Sequence, residues 1–441
     1  MRAHRLFGNI LVAGALAMSA PFVGAQQSAD EQSQADDQEA LKKLQVFAEV
    51  FSVVRDRYVE NLDDKELIAD ALNGALESLD PHSHYVPQED FETRQKQARR
   101  EYGGLGIEVA MPDDMVSITY VIPDGPAAAA GIVRGDFITA VAGEPVKGKT
   151  LSDAVAGMRG LAGDPITVTV LSEGQEPREV EVVREVVQGR VVRHRVEDGV
   201  GYMYIESFSH PRLGADVAYV IEDLKETLGG TLPGLIIDVR GNPGGLVDQT
   251  VEVASHFLDG GEVFSARGRS RDNTQRFNAH AGELTKGVPI VVLANSRSAS
   301  AAEILAGAIQ DRGRGIIVGR RTFGKGSVQS VIPLSETNGA LRLTTQRYYT
   351  PSGKSIQGRG ILPDVLVALR PNTGDTRQRF REDSLPNALQ NPDETDYKEN
   401  KDTIDYPPAD WPTTEDYQLK KAVELVKSPD YKNLLASLNS Q

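Results

Sequence analysis

ANSRSASAAEILAGAIQDRGRGIIVGRRTFGKGSVQ (residues 294–329) is the stretch on which the reading of this chain turns. Its first residue ends an apolar run over 288–294, which reads as a buried strand. Ser300 follows, and the apolar spacing from Ala301 to Ile309 reads as a helix. Residues 316–319 form a second buried strand, and Lys325 comes next, flanked by Gly324 and Gly326. No histidine lies between Ser300 and Lys325, and the chain has no cysteine. If this stretch does chemistry, its residue types point to a serine nucleophile with a lysine base.

Ser300 also has a structural reading. Ser300-Ala301-Ala302-Glu303 matches the capping box S-x-x-E. Capping and catalysis are compatible, because a helix N-terminus offers free amides and the positive end of the dipole to a developing oxyanion. The Ala301 amide is the natural first donor. A glycine amide from Gly244 or Gly245 is the expected second. For Lys325 to take a proton it must be neutral, so its pKa must fall by about three units, roughly 4 kcal/mol of destabilised charge. Glycine neighbours let other main chain approach and exclude water. Gln329 is expected to orient the amine without adding charge. The alternative is a lysine on a surface loop.

A rival pattern overlaps this one. Residues 319–325 match most of a phosphate loop, G-x-x-x-x-G-K-[ST], but residue 326 is glycine, and the hydroxyl that would hold magnesium is missing. SVQSVIPL (327–334) reads as a strand rather than the required helix. The esterase elbow G-x-S-x-G and the zinc-protease motif H-E-x-x-H are both absent. No cofactor is expected. His82 and His84 have no third ligand at a matching distance, so no metal site is expected either.

Working outward, 441 residues allow two or three domains, and a formal charge of −15 disfavours nucleic acid as a partner. Arg2 and Arg5, the apolar run over 6–18 and the small residues Val23-Gly24-Ala25 predict a signal peptide (1–25) cleaved after Ala25, and hence export to a periplasm. Residues 26–40 read as a disordered tether. In the helical region 41–100, Leu44, Phe47, Phe51, Val54 and Tyr58 form an apolar seam. It suits a small helical bundle or, by its coiled-coil spacing, a contact between copies of the chain. Strand–helix alternation over 187–370 predicts a mixed α/β core. Residues 371–441 read as an acidic linker followed by a helical segment.

Residues 101–186 resemble a PDZ domain: the glycine turn YGGLGIEV (102–109), the strand MVSITYVI (115–122), the run DGPAAAAGIVRGDFITAVAGEPV (124–146) and a helix over 151–158. The resemblance implies a peptide groove in which the amides of Gly103, Gly104, Leu105 and Gly106 hold a terminal carboxylate, an anion nest with strand addition. The alternative is a tight hairpin without a ligand.

Taken together, LDPHSHYV (79–86), the PDZ segment, IIDVRGNPGGL (236–246), NSRSASAAEILAGA (295–308), FGKGSVQ (323–329) and YYTPSGKSIQGRGILPD (348–364) resemble the carboxyl-terminal processing peptidases, or tail-specific serine proteases. The resemblance covers about residues 41–369. It implies an α/β protease core with an inserted PDZ domain and an N-terminal helical arm. On the matching positions it makes Ser300 the nucleophile, Lys325 the general base, Gln329 the lysine-orienting residue, and Ala301 with the pair Gly244 and Gly245, of which Gly244 is favoured, the oxyanion hole. It also implies substrates with flexible apolar C-termini, among them cell-wall hydrolases and immature envelope proteins. An envelope adaptor and homo-oligomers through the N-terminal helices are further implied partners. Two other readings predict no cleavage: a catalytically inactive PDZ scaffold of the envelope, and a cell-wall binding protein, for which a chain with one tryptophan shows no aromatic cluster.

Overall fold

Residues 23–91, 102–112, 115–122, 125–187, 191–270, 272–335, 339–370, 380–393 and 403–440 are described by a computed structural model. Arg2, Arg5 and the apolar run of the expected signal peptide lie outside them. The chain falls into two units, Met1–Ala71 and Leu72–Gln441.

In the first unit α1 runs over Val23–Arg57. Residues 26–40, expected as a disordered tether, are therefore helical. The physical reason is local: no glycine or proline occurs between Gly24 and Gly74, and Ala, Gln and Glu are good helix formers. The second helix, α2 (Asp64–Glu77), begins where Asp63 Oδ1 accepts hydrogen bonds from the amides of Lys65 and Glu66. On α1, Leu44, Phe47 and Val50 are all exposed.

The second unit opens with β1 (His84–Val86) and continues into the PDZ portion. Its elements are β2 (Tyr102–Gly104), β3 (Ile107–Ala110), β4 (Val116–Val121), a short helix α3 (Pro126–Ala129), β5 (Phe137–Val141), β6 (Glu144–Pro145), α4 (Leu151–Met158), β7 (Gly160–Leu161), β8 (Pro165–Leu171), β9 (Arg178–Val183) and β10 (Glu185–Val186). One sheet has the order β3-β4-β5-β8-β9, and a small ribbon has the order β10-β2-β7. Alternation sets the faces: Val116, Ile118 and Tyr120 are buried on β4, and Ile166, Val168 and Val170 on β8. Thr150 caps α4 by accepting from the Asp153 amide.

The α/β core adds β11 (Val192–Glu197), β12 (Val200–Ile205), α5 (Leu213–Thr227), β13 (Leu235–Asp238), α6 (Val247–Ser255), β14 (Glu262–Gly268), β15 (Thr274–Asn278), β16 (Ile290–Ala294), α7 (Ala301–Asp311), β17 (Ile316–Gly319), β18 (Ser327–Pro333), β19 (Ala340–Tyr349) and β20 (Val365–Leu366). The main sheet has the order β11-β12-β13-β16-β17-β20 and is parallel from β12 onward. A second sheet, β1-β19-β14-β15 with β18 beside β19, sits at the edge of the core. Strands β14 and β15 were not expected from the sequence, because TQRFN is short, mostly polar and mostly exposed.

Both faces of the main sheet are covered, which explains why LIID and IVVLA are apolar without alternation. Leu235, Ile237 and Val292 face α5, α6 and α7. Ile236, Val291 and Leu293 face two C-terminal helices, α8 (Tyr417–Val426) and α9 (Tyr431–Leu438), through Leu419, Ala422, Val423, Val426 and Tyr431. The expected C-terminal helical segment is present as these two helices, whereas the linker reading is corrected for residues 380–393. The helices roof the sheet, and residues 380–393 lie along the core as a strap. Asn391 Nδ2 donates to Gln357 O (2.8 Å), Asp393 Oδ2 accepts from Ser355 N (2.6 Å) and Asn387 Nδ2 donates to Glu77 O (2.9 Å). The polar composition that signals a linker here serves side-chain bonds to backbone.

Candidate active site

Three neighbouring parallel strands send loops from their carboxyl ends to one place, where open α/β sheets present ligand sites. β13 leads into Arg240–Gly245, β16 into Asn295–Ser300 and β17 into Arg320–Gly326. Arg240 fixes the first loop. Its guanidinium bonds Asp238 and, across to α8, Asp416 (2.6 Å). Burial works against the charge, but the two carboxylates outweigh it and hold Arg240 above its ordinary pKa. Asn242 ties the loops together: its Nδ2 donates to Ile205 O (2.8 Å), its Oδ1 accepts from Gly244 N (2.8 Å) and its carbonyl accepts from Ala299 N (2.9 Å).

The two serines of Ser298-Ala299-Ser300 separate cleanly. Ser298 is fully buried, and its Oγ donates to Val239 O (2.8 Å) and accepts from Asn295 N (3.0 Å). Ser300 is half-buried with φ 55° and ψ −115°, a conformation a β-carbon disfavours. Its hydroxyl makes no hydrogen bond among the described residues and does not cap α7. The reciprocal bond from the side chain of Glu303 to the cap backbone is present: Glu303 Oε2 accepts from Ser300 N (2.8 Å). Gly244 has φ +98°, and a β-carbon there would lie 2.8 Å from Ser300 Cβ and 3.0 Å from Ala301 N.

Glu303 does more than cap. It is fully buried on α7, and the same Oε2 accepts from Lys325 N (2.8 Å) while Oε1 accepts from Gly324 N (2.6 Å) and from the Thr322 hydroxyl. Burial pushes its carboxyl up to about 7 against the pull of these donors. One carboxylate thus holds the backbone of the serine loop and the backbone of the lysine loop together. The motif S-x-x-E signalled Glu303 as a cap; its partners on the lysine loop had no sequence signal.

The glycines beside Lys325 serve close backbone packing, as expected. A β-carbon on Gly326 would lie 2.2 Å from Gln357 N, and Gly324, at φ +97°, accepts from Gly358 N (2.8 Å). The Lys325 side chain is half-buried, and burial first, then Arg342 on β19, lowers its pKa. Its Nζ makes no hydrogen bond to Ser300 Oγ or to any other described residue. Gln329 does not reach it: its Nε2 donates to Ser327 Oγ (2.9 Å) and Thr344 Oγ1 (3.2 Å).

Of the expected oxyanion donors, the Ala301 amide makes no hydrogen bond among the described residues and is open. The structure departs from the preference for Gly244, because that amide is committed to Asn242 Oδ1. The Gly245 amide has no such partner. In the PDZ portion the expected groove is present, with a volume of about 590 Å³ between β3 and α4. Gly103 and Gly104 lie within β2, flanked on both sides by β7 and β10, so their backbone belongs to that ribbon. Leu105 and Gly106 line the groove past its end, and their amides donate to no described residue. Arg159, which sequence reasoning missed, lines the same groove, is exposed, and makes no ion pair with a described residue.

These contrasts predict opposite stability effects within one motif. Ser298→Ala should lower unfolding stability by about 1–3 kcal/mol through lost buried bonds. Ser300→Ala should leave stability within about 0.5 kcal/mol of the parent. Denaturant unfolding of both variants checks this; equal losses would contradict the assignment of Ser298 as structural and Ser300 as uncommitted.

Comparison with known proteins gives a concordant result. Residues 199–367 match the family model of peptidase family S41, residues 117–172 that of the PDZ domain, and residues 11–90 that of the activating protease CtpB N-terminal domain. Over 334 residues the chain is 46% identical to a carboxy-terminal-processing protease of Bartonella bacilliformis, covering 75% of this chain and 76% of that one. Over the same length it is 31% identical to a probable CtpA-like serine protease of Staphylococcus aureus, covering 75% of this chain and 65% of the relative. A solved structure of a photosystem II D1 C-terminal processing protease is 28% identical, with a TM-score of 0.42, over 72% of this chain and 91% of that one. The chain therefore belongs to peptidase family S41 and is a serine protease of the carboxy-terminal-processing type that carries a PDZ domain.

Proposed function

We propose that this protein is an exported endopeptidase that captures the free C-terminus of a flexible chain in its PDZ groove and cleaves peptide bonds with Ser300 and Lys325. One observation carries the reading. An uncommitted serine hydroxyl in a strained backbone is tied, through a single buried carboxylate, to the backbone of a lysine whose charge is destabilised by burial. In the substrate complex the neutral amine accepts the Ser300 proton as Oγ bonds to the peptide carbonyl carbon. The amides of Ala301 and Gly245 face the oxyanion, with Gly244 kept small to admit the nucleophile. The tetrahedral adduct collapses with loss of the C–N bond, and the lysine proton passes to the departing amine. Water then attacks the acyl carbon, giving one proton to Lys325; the C–Oγ bond breaks, Lys325 returns that proton to Ser300 Oγ, and the carboxylic acid product leaves. Ser300 and Lys325 make no mutual hydrogen bond among the described residues, and catalytic bonds often tighten only in the Michaelis complex. Gln329 takes its place near the amine in that complex.

The amides of Leu105 and Gly106, which donate to no described residue, and the exposed guanidinium of Arg159, which pairs with no described carboxylate, support carboxylate capture at one end of the groove. The apolar groove wall, with Val155 and Met158, supports an apolar C-terminal side chain. The basic start and apolar run over 2–18 support export, and the exposed seam of α1 supports pairing between copies through their N-terminal helices.

Purified protein incubated with a flexible peptide ending in apolar residues should yield products that Ser300→Ala and Lys325→Ala each reduce by at least about 10³-fold. Activity should rise with pH through the depressed lysine pKa, since the neutral amine is the base, and amidating the peptide terminus should raise KM. Cleavage that persists in both variants would overturn the dyad, and absence of cleavage in the parent would favour the inactive scaffold. Separately, deletion of residues 26–62 should lower the mass of the particle in solution. An unchanged oligomer would reject the arm as its contact.

A further inference from the structure

Charged groups from three other elements act on Lys325. Glu303 of α7 holds its backbone from below. Arg342 of β19 is half-buried and forms no ion pair among the described residues. The third charge is Glu382, on the strap 380–393, a segment that lies beyond the family match at 199–367 and that its composition marks as linker. Glu382 is fully buried. Its carboxylate meets His82 Nε2 with both oxygens, at 2.9 and 3.0 Å, and its Oε1 accepts from Gln357 Nε2 at 3.0 Å. Gln357 Oε1 in turn accepts from Gly326 N at 3.1 Å, next to the lysine. The strap backbone joins the same loop directly: Glu382 N donates to Phe323 O (3.1 Å), and the Phe323 and Phe380 rings lie 6.0 Å apart. Arg381 Nη2 donates to Gly358 O (3.0 Å), and Gly358 N donates to Gly324 O (2.8 Å).

A buried carboxylate on a late segment, paired to a histidine 300 residues earlier in the chain, has no place in ordinary core packing unless a charge requires it. We propose that the strap completes the active site, with Glu382 as a positioning residue that locks the lysine loop through Gln357 and through its own backbone bond to Phe323. The same arrangement gives the LDPHSHYV motif a role. Asp80 fixes the turn by accepting from the amides of His82 (2.8 Å) and Ser83 (2.9 Å), and this presents His82 to Glu382. Electrostatics agree with the geometry: burial and Arg342 lower the lysine pKa, whereas Glu382 and Glu303 raise it. Without Glu382 only Glu303 opposes the guanidinium, so the amine is neutral over a wider pH range, in a loop that has lost one of its tethers.

This inference rests on Lys325 as the base, but its test does not depend on turnover. In full-length protein carrying Ser300→Ala, the pH dependence of Lys325 labelling by an amine-reactive acylating reagent, read by mass spectrometry, gives the amine midpoint directly. Glu382→Gln should lower that midpoint by about half a pH unit or more, and Arg342→Gln should raise it by a similar amount. With Ser300 restored, the rising limb of kcat/KM against pH should move in the same directions. Glu382→Gln should also lower the plateau of kcat, as the loop loosens. Midpoints unchanged in both variants, each shown to be folded by a cooperative melt, would overturn the proposal while leaving the dyad standing. Shifted midpoints with cleavage unaffected by Lys325→Ala would instead uphold the charge arrangement and overturn lysine as the base.

Discussion

The Glu303 carboxylate is the constraint on which the rest of the site depends. Three main-chain amides and one hydroxyl converge on its two oxygens, from Ser300, Gly324, Lys325 and Thr322. Each of these groups would be orphaned inside the protein if the carboxylate were absent, and a buried unsatisfied donor costs about 1–3 kcal/mol. The cost of burying Glu303 itself is offset only while all of them point at it, so the two loops are stabilised jointly or not at all. Accepting Ser300 N also helps hold that residue at a positive φ, which turns its hydroxyl away from the capping position. Strain at Ser300 and the placement of the Lys325 backbone are thus sustained by the same side chain.

Around this centre the fold supplies three further restraints. Adjacent parallel strands end together, so the nucleophile, glycine and lysine loops begin side by side. Asn242 bridges the first two loops, and Arg240 anchors the glycine loop to the C-terminal helix that roofs the opposite face of the sheet. Residues 356–358 press against the lysine loop so closely that positions 324 and 326 admit only glycine. The C-terminal region, from the strap onward, is therefore part of the protease core in a physical sense: it covers apolar strand surface and meets the loops that carry the chemistry.

Much of this was legible in the sequence, and the limits of legibility have causes. Buried strands read directly, because LIID and IVVLA are apolar on both faces. The helix over Leu151–Met158 read to the residue, since Thr150 and Asp153 form its cap and Arg159 ends it. Ser300 and Lys325 were recognisable from their positions after strands and from glycine spacing, and by resemblance to a family. The capping pattern exposed Glu303 but only half of its role, because the bonds to Gly324 and Lys325 join residues more than twenty positions apart and leave no periodic mark. The choice between Gly244 and Gly245 as donor turned on a side chain, Asn242, whose direction no spacing encodes. Glu382 and the strap were hidden by composition: asparagine, aspartate and glutamate mark linkers, yet the same residues can bind a core through side chain to backbone hydrogen bonds. Residues 26–40 misled in the other direction, as polar helix formers were taken for a tether.

The most direct test is site-resolved amide hydrogen exchange at Ser300, Gly324 and Lys325, in the parent and in Glu303→Gln. A glutamine must turn an NH₂ toward at least one of these amides, so it cannot replace the carboxylate. All three amides should be protected in the parent and lose protection together in the variant, with hydrolysis of an apolar-ended peptide falling by roughly two orders of magnitude or more. Release of Ser300 alone, with Gly324 and Lys325 still protected and cleavage intact, would contradict a single carboxylate as the link between nucleophile and base.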